Sequence, residues 1–189
     1  MKYVSIDVET TGIDPIKNQV IEIGAIIEDT SKKLTYDELP KFKCIIEHEV
    51  YNGSAFAINL NQRIFSILSG IPKFKPDDYR KQFNILTPDI ARNSFIDFLM
   101  QNGMNNRFIA AGKNYAGFDY PFLKSMHPEW PQSYQRVLDP GPMYTNFTTD
   151  AFPPDLETCK QRAGLSNTRV SHDALEDAWD VIQVLRAKY

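Results

Sequence analysis

The sequence predicts an α/β domain in which helices flank a mixed five-stranded sheet. Three strand-like segments come first along the chain, and helix-like and strand-like segments then alternate as far as the C-terminal helices. Strands joined by hairpins, followed by strands separated by helices, combine antiparallel and parallel pairing in one sheet. The length of 189 residues, with 42% hydrophobic and 24% charged residues, suits a single domain over residues 1–189.

The first three strands are predicted at residues 3–8, 20–27 and 42–50. The second is nearly continuous in Ile, Val and Ala, which indicates a strand that is buried on both faces. The polar segment 28–40 is predicted to be a hairpin or a surface excursion. The three strands therefore form an antiparallel meander.

A long helix is predicted to begin after Thr87. Thr is a good N-cap, Pro88 fits the first helical position, and Asp89 complements the positive end of the helix dipole. This helix should run to about residue 101, with Gly103 near its C-terminal stop.

The remaining elements are weaker predictions from periodicity and turn residues. Residues 70–84 contain Pro72, Pro76 and several lysines, and a loop is predicted there. In chain order, the other predicted elements are a short helix at 60–68, a strand at 107–112, a helix at 117–126, a strand at 136–139, a loop at 140–152, and helices at 153–163 and 173–187.

Charge and cysteine content restrict the class of protein. The net charge of −3 and the pI of about 5.6 argue against a protein that coats long nucleic acids by bulk electrostatics. Only Cys44 and Cys159 occur, which suits a reducing compartment and predicts a cytoplasmic location. The sequence shows neither a secretory signal pattern nor an apolar run long enough to span a bilayer, so no membrane association is expected.

Two acidic residues close the first predicted strand. Asp7 and Glu9 are two positions apart, so their side chains project from the same face of the strand. Thr10, Thr11 and Gly12 follow and end the strand. A lone Asp-x-Glu occurs often by chance, and an ordinary strand end with solvated acids is the alternative.

A third acid, Asp119, follows Asn114 and Phe118 near the start of a predicted helix. There the helix dipole favours an anion, so a simple helix-start acid is the alternative to a functional role.

The last helix brings a histidine and an aspartate close together. Asp173 and Glu176 have the spacing of a capping box, which places His172 just before the helix and Asp177 in its first turns. His172 and Asp177 can therefore converge on one site. By spacing alone, Asp173 or Asp180 is an equally good candidate for the acidic ligand.

Together these motifs resemble the DEDDh branch of the DnaQ-like 3′–5′ exonucleases, in the ribonuclease-H-like superfamily. The first family motif, Asp-x-Glu-Thr-Thr-Gly, is intact at residues 7–12. The second corresponds to residues 114–119, and the third, His-x4-Asp, to residues 172–177. The resemblance covers residues 1–185, with little to match between residues 29 and 83.

The resemblance implies a ribonuclease-H-like fold and a two-metal phosphodiester hydrolysis. In that reading, two Mg²⁺ or Mn²⁺ ions are bound by four carboxylates. His172 is the general base, since a neutral imidazole suits that role near neutral pH. The implied ligands are Asp7, Glu9, Asp119 and Asp177.

Substrate contacts are implied at four further positions. Thr10 and Asn114 match family positions that contact the terminal nucleotide. Phe56 and Ile58 lie where relatives place apolar residues against the terminal base, and burial of both in the core is the alternative.

The implied activity is removal of nucleoside 5′-monophosphates from the 3′ end of single-stranded nucleic acid, with DNA placed ahead of RNA. A polymerase or replication protein is a candidate partner, and the oligomeric state stays open. Two alternatives remain: an oligoribonuclease-like enzyme acting on short RNA, and an inactive nuclease fold that only binds nucleic acid.

Overall fold

The computed structural model describes residues 1–72 and 75–189. Within these residues, a five-stranded mixed sheet lies at the centre of the fold. Its strand order is β4-β3-β2-β1-β6, and β5 pairs with β7 in a separate two-stranded sheet. The strands are β1 (Lys2–Thr10), β2 (Val20–Asp29), β3 (Lys41–Ile46), β4 (Ile85–Leu86), β5 (Arg107–Phe108), β6 (Ala110–Ala111) and β7 (Gln132–Ser133).

The sheet combines an antiparallel centre with parallel edges. Strands β1, β2 and β3 form the predicted meander, whereas β6 pairs with β1 and β4 with β3 in parallel. In the β1–β2 pair, Glu9 lies opposite Glu22, and the register then shifts between Glu9 and Thr10. Such an irregularity bends a strand locally. The predicted mixed five-stranded sheet is confirmed.

Eight helices flank the sheet in the part of the chain that the structure describes. They are α1 (Ala55–Leu60), α2 (Gln62–Ser69), α3 (Pro76–Phe83), α4 (Pro88–Gln101), α5 (Asp119–Met126), α6 (Pro140–Met143), α7 (Leu156–Arg162) and α8 (Ala174–Arg186). Over the same residues, no helix is both long and apolar enough to cross a bilayer.

The alternation of side chains along β1 divides the core into two layers. Val4, Ile6 and Val8 pack in the cluster that includes side chains of α4 and α5, while Tyr3 packs with α7 and α8. The Ser5 hydroxyl donates to the Ala178 carbonyl at 2.8 Å, which also faces α8. Asp7 and Glu9 follow the same alternation as Tyr3 and Ser5, so both carboxylates project towards α8.

The predicted loop at 70–84 is wrong over its second half, where α3 forms. Pro76 takes the first helical turn, and Arg80 donates two hydrogen bonds to Glu47, at 2.7 and 2.8 Å. This tertiary pairing stabilises a segment whose composition favoured a loop. Lys73 and Phe74 belong to the same predicted loop and lie outside the described residues.

Strand predictions failed where the pairing is very short. The predicted strand at 136–139 contributes only one bridge, between Leu138 and Ala111, and the fifth strand is instead β4. Two residues are too few for a hydrophobic period to be visible. The third strand also ends at Ile46 instead of residue 50.

Several helix boundaries differ because of local backbone geometry. The helix predicted from residue 117 begins at Asp119, after Asn114 adopts a positive φ of 61°. The helix predicted from residue 153 begins at Leu156, where the Asp155 side chain accepts from the Thr158 N–H at 2.8 Å. The predicted loop at 140–152 contains the short helix α6.

We expect Gly24→Ala to destabilise the fold by about 2 kcal/mol, because the added methyl group overpacks the core. A Cβ at Gly24 would lie 2.2 Å from the Ala174 carbonyl carbon, at the start of α8. Gly164→Ala is the control, since nothing lies within 4 Å of its Cβ and only its φ of 74° opposes the change. Chemical denaturation measures both losses, and an equal loss in the two variants would contradict the steric argument.

Candidate active site

The end of β1 meets the start of α8 at a cluster of acidic groups. Glu9, His172 and Asp177 each offer a ligand atom, and these atoms all lie within 4.8 Å of one another. The three residues come from the two ends of the chain and converge because α8 packs on β1 and β2. The structure therefore brings together residues of the first and third sequence motifs.

The two carboxylates of β1 are held in an unfavourable environment. The pKa of Glu9 is raised to about 7, first by burial and then by the charges of Asp177 and Glu22, against an opposing effect of Arg63. For Asp7, burial is again the first cause of a pKa well above the usual range, followed by the charges of Asp119 and Asp177. Both carboxylates therefore retain their protons more strongly than solvated acids.

Asp119 is the first residue of α5 and is 2% exposed. Its Oδ1 accepts the Val8 N–H at 3.1 Å, which holds the carboxylate against β1 between Asp7 and Glu9. Burial raises the pKa of Asp119 to about 8, although the hydrogen bonds from backbone N–H groups oppose this shift. The second sequence motif thus reaches the same place as the first.

The structure distinguishes among the three aspartates of the last helix. Asp173 is the N-cap, accepting from the Leu175 and Glu176 N–H groups, and it pairs with Lys43. Asp180 pairs with the fully buried Lys160. Asp177 accepts from the Ser171 N–H at 3.2 Å and hydroxyl at 3.0 Å and lies beside Glu9.

The capping box predicted from Asp173 and Glu176 is only half formed, because Asp173 caps the helix but Glu176 does not. The Glu176 carboxylate accepts from the Tyr36 hydroxyl at 2.9 Å. It does not reach back to the helix N-cap.

His172 occupies a strained and exposed position immediately before the helix. Its φ of 55° lies in the left-handed region, which non-glycine residues adopt only a few per cent of the time. Its side chain is exposed, unlike the carboxylates around it. The histidine can therefore reach both the acidic cluster and solvent.

The chemistry of the donor set fits divalent cations. Glu9 and Asp177 approach each other here, the charges of Asp119, Asp177 and Glu9 act on Asp7, and none of the four carboxylates forms an ion pair with Lys or Arg among residues 1–72 and 75–189. Carboxylate oxygens are the ligands that Mg²⁺ and Mn²⁺ prefer. Positive charge of that kind would relieve the repulsion that raises the pKa values of these acids.

A cavity of about 460 Å³ opens beside Glu9. Its lining includes Thr10 from β1, Phe56 and Leu60 from α1, and Phe118 before α5. The Thr10 hydroxyl donates to the Gly12 carbonyl at 2.6 Å, which leaves the hydroxyl occupied by the turn. The cavity is thus polar at the acidic cluster and apolar along α1.

The two predicted apolar contacts have different positions. Phe56 is 77% exposed at the cavity, and Ile58 is 37% exposed, so neither is a core residue. Ile58 does not line the cavity, whereas Leu60, which the sequence reading missed, does. Residues on one side of a helix recur after three or four positions, and this periodicity could have identified Leu60 as the neighbour of Phe56.

Asn114 lies apart from the cavity lining. It is exposed, and its N–H donates to Asp139 Oδ2 at 3.1 Å. Its backbone carbonyl accepts from Gly117 and Phe118, so its main role in the structure is the turn before α5.

Three charged residues behind the site were missed by the sequence reading. Glu22 is fully buried and contacts Arg63 and Lys43. A signal for Glu22 was present, because a single acid in the apolar segment 20–27 needs a partner of opposite charge when it is buried. Nothing in the local sequence indicates that Arg63, on α2, is this partner.

A mixed sheet of this order, with acidic groups gathered at the end of β1, defines a ribonuclease-H-like domain of the nuclease class. The RNase T exonuclease family matches residues 4–185, and the chain belongs to this family. The predicted membership of the DnaQ-like exonucleases is confirmed. No curated protein matches the chain.

Solved structures with the same fold are nucleases. Cell-death related nuclease 4 (CRN-4) is 15% identical with a TM-score of 0.66, over 98% of this chain and 62% of that one. Exonuclease I of E. coli in complex with a dA16 oligonucleotide is 13% identical with a TM-score of 0.62, over 98% and 40%. Its zinc-bound complex with single-stranded DNA is 14% identical with a TM-score of 0.60, over 99% and 41%. The chain thus spans less than two thirds of these neighbours.

We expect the metal-free protein to lose stability as the pH rises from 5 to 8, because the raised pKa values favour protonated acids in the folded state. The stabilisation from these protonated acids is complete below about pH 4. It is lost as the pH rises through the folded-state pKa values, which are about 7 for Glu9 and about 8 for Asp119. Asp7→Asn removes one repelling charge, so it should raise the metal-free Tm more at pH 8 than at pH 5.

Thermal unfolding in EDTA measures this difference, with Asp97→Asn, an exposed acid on α4, as the control. An equal effect of Asp7→Asn at both pH values would contradict the repulsion.

Proposed function

We propose that this chain is a metal-dependent 3′–5′ exonuclease of the DEDDh branch. Residues 1–189 act as one exonuclease domain that hydrolyses the last phosphodiester bond of a single-stranded nucleic acid and releases a nucleoside 5′-monophosphate. The observation that carries the proposal is the convergence of Glu9, His172 and Asp177 within 4.8 Å, with Asp7 and Asp119 against the same strand end.

Four carboxylates would hold the metal ions, namely Asp7, Glu9, Asp119 and Asp177. Two Mg²⁺ or Mn²⁺ ions supply positive charge for the phosphate oxygens and lower the pKa of water. The lack of paired Lys or Arg at these acids, over the described ranges 1–72 and 75–189, supports cation binding. The zinc-bound form of E. coli Exonuclease I supports it as well.

His172 would act as the general base. Its ring is exposed and stands beside Glu9 and Asp177, where it can accept a proton from the attacking water and release it to solvent. Asp177 is held in place by Ser171, so the acid is fixed while the base sits on strained backbone. This arrangement separates metal binding from proton transfer.

The cavity beside Glu9 suits the terminal nucleotide. Its volume of about 460 Å³ and its apolar wall, with the exposed ring of Phe56, favour stacking on a base. Thr10 lies at the boundary between this wall and the acidic cluster, while Ile58 and Asn114 would contact the strand from outside the cavity. DNA is placed ahead of RNA because dA16 is bound to a protein of the same fold.

A degradation assay tests the activity, the direction and the sugar preference together. Oligonucleotides of DNA and RNA, labelled at the 5′ end, are incubated with Mg²⁺ or Mn²⁺ and repeated with EDTA. A ladder that shortens by one nucleotide at a time, only with metal, is the expected result. Preference for RNAs of two to five nucleotides would instead identify an oligoribonuclease-like enzyme, and binding without degradation would identify a nucleic-acid-binding module.

We expect His172→Ala to lower kcat by about 10²–10⁴-fold, the usual contribution of a positioned base, with nearly unchanged Mn²⁺ affinity. Calorimetric titration of Mn²⁺ without substrate separates the two effects. His127→Ala is the matched control, because His127 follows α5 and contacts Asp89, away from the acidic cluster. A near-normal rate for His172→Ala would place the base elsewhere.

We expect Phe56→Ala to raise KM about tenfold or more, since stacking of one base contributes roughly 1–3 kcal/mol. The kcat should change little, because Phe56 is not among the residues proposed to bind the metal ions or to transfer a proton. Met100→Ala is the control: Met100 is also exposed, but it lies in the last turn of α4, near the opposite end of β1, where Lys2 contacts Asn102. Unchanged KM for Phe56→Ala would remove the stacking role.

A further inference from the structure

A cluster of paired charges lies next to the acidic site, where Glu22 of β2 is opposite Glu9 of β1. Glu22 of β2 is fully buried, and its carboxylate accepts two hydrogen bonds from the Arg63 guanidinium, at 2.8 and 2.7 Å. Lys43 lies 3.5 Å from Glu22 and also pairs with Asp173, and Arg63 lies 3.3 Å from Asp173. Two acids and two bases thus compensate each other's charge.

This cluster holds the first turn of α8. The Ala174 N–H donates to Glu22 Oε2 at 3.1 Å, and Asp173 is the N-cap of the helix. Both contacts fall immediately after His172. Glu22 is held within β2 by burial. Its hydrogen bonds to Arg63 and to the Ala174 N–H therefore fix the start of α8, and with it His172, relative to the sheet.

The cluster also connects the histidine to the cavity wall. Arg63 belongs to α2, which follows α1 directly after Asn61. The buried Asn61 side-chain amide donates to the Thr10 carbonyl at 3.3 Å and to the Ala57 carbonyl at 3.1 Å. Arg63 is therefore fixed relative to the same strand end and the same helix that line the cavity.

We propose that Arg63 is a positioning residue for His172, acting through Glu22 and Asp173. This inference rests on the proposed role of His172 as the base. The guanidinium suits the task because its Nη2 contacts both carboxylate oxygens of Glu22, at 2.8 and 2.7 Å, and lies 3.3 Å from Asp173, so that one charged group links the two acids. A Lys at this position keeps the charge but lacks the planar geometry of the guanidinium, so it can replace these contacts only in part.

The experiment compares Arg63→Met and Arg63→Lys with the control Arg80→Met. Arg80 also donates two hydrogen bonds to one carboxylate, from Nε and Nη2 to Glu47 at 2.7 and 2.8 Å, and it lies on α3 and away from α8. Hydrogen exchange of the amides of residues 171–177, measured without metal or substrate, reports the order of the helix start. Then kcat and KM on a single-stranded oligonucleotide and the Mn²⁺ affinity by calorimetry are measured.

We expect Arg63→Met to speed exchange at residues 171–177 and to lower kcat by about tenfold to a hundredfold, the effect of a misplaced catalytic group. KM and Mn²⁺ affinity should stay within about threefold of wild type, because α1 and three of the four carboxylates, Asp7, Glu9 and Asp119, lie outside the start of α8. Arg63→Lys should recover part of the rate, and Arg80→Met should change none of these quantities. A folded Arg63→Met with wild-type exchange, or with faster exchange and wild-type kcat, overturns the proposal.

A second variant covers the case in which Arg63→Met does not fold, since the buried Glu22 would then lose its bonds to Arg63 and keep the longer contact to Lys43, at 3.5 Å, and a buried acid that loses a partner is destabilising. Glu22→Gln/Arg63→Met removes both charges and leaves an amide that can still accept the Ala174 N–H. The same expectations and the same contradictions apply to it. If wild type degrades no nucleic acid, the proposed function fails, while the exchange measurements still decide whether Arg63 orders the start of α8.

Discussion

The packing of the first turn of α8 against β2 is the contact on which the site depends. Gly24 leaves room for the backbone of Ala174, because a Cβ there would lie 2.2 Å from its carbonyl carbon. Next to it, the buried Glu22 carboxylate accepts the Ala174 N–H. His172 lies just before this contact and Asp177 one turn after it. One close approach between a helix and a strand therefore places two of the five catalytic candidates.

The charges around this contact are distributed unevenly. Arg63 and Lys43 compensate Glu22 and Asp173, which lie behind the site. The four carboxylates of the site itself have no such partner among the residues that the structure describes, and burial and mutual repulsion raise their pKa values. Fold stability is thus lower here than it would be with neutral side chains, a common property of functional sites. Cation binding would return that stability to the folded state.

The parts of the site that the sequence could predict are those set by local periodicity. Asp7 and Glu9 share a face because alternate residues of a strand do, and Asp119 begins a helix. The choice of Asp177 over Asp173 and Asp180 was beyond such reasoning, because it depends on Lys43 and Lys160, which come from distant segments. The same limit explains β4, whose two residues are a strand only because β3 lies beside them.

The carboxylates and His172 are held in place by different contacts, so mutations should affect cation affinity and turnover differently. Asp119 is anchored to the β1 backbone through the Val8 N–H, and Asp177 is anchored through Ser171. The histidine instead depends on strained backbone and on the cluster around Glu22, which contacts the helix one residue later. Changes in the core beneath β1 should therefore alter cation affinity and turnover together. Changes in the Glu22 cluster should alter turnover more than cation affinity, because only one of the four carboxylates, Asp177, lies on the helix whose start can shift.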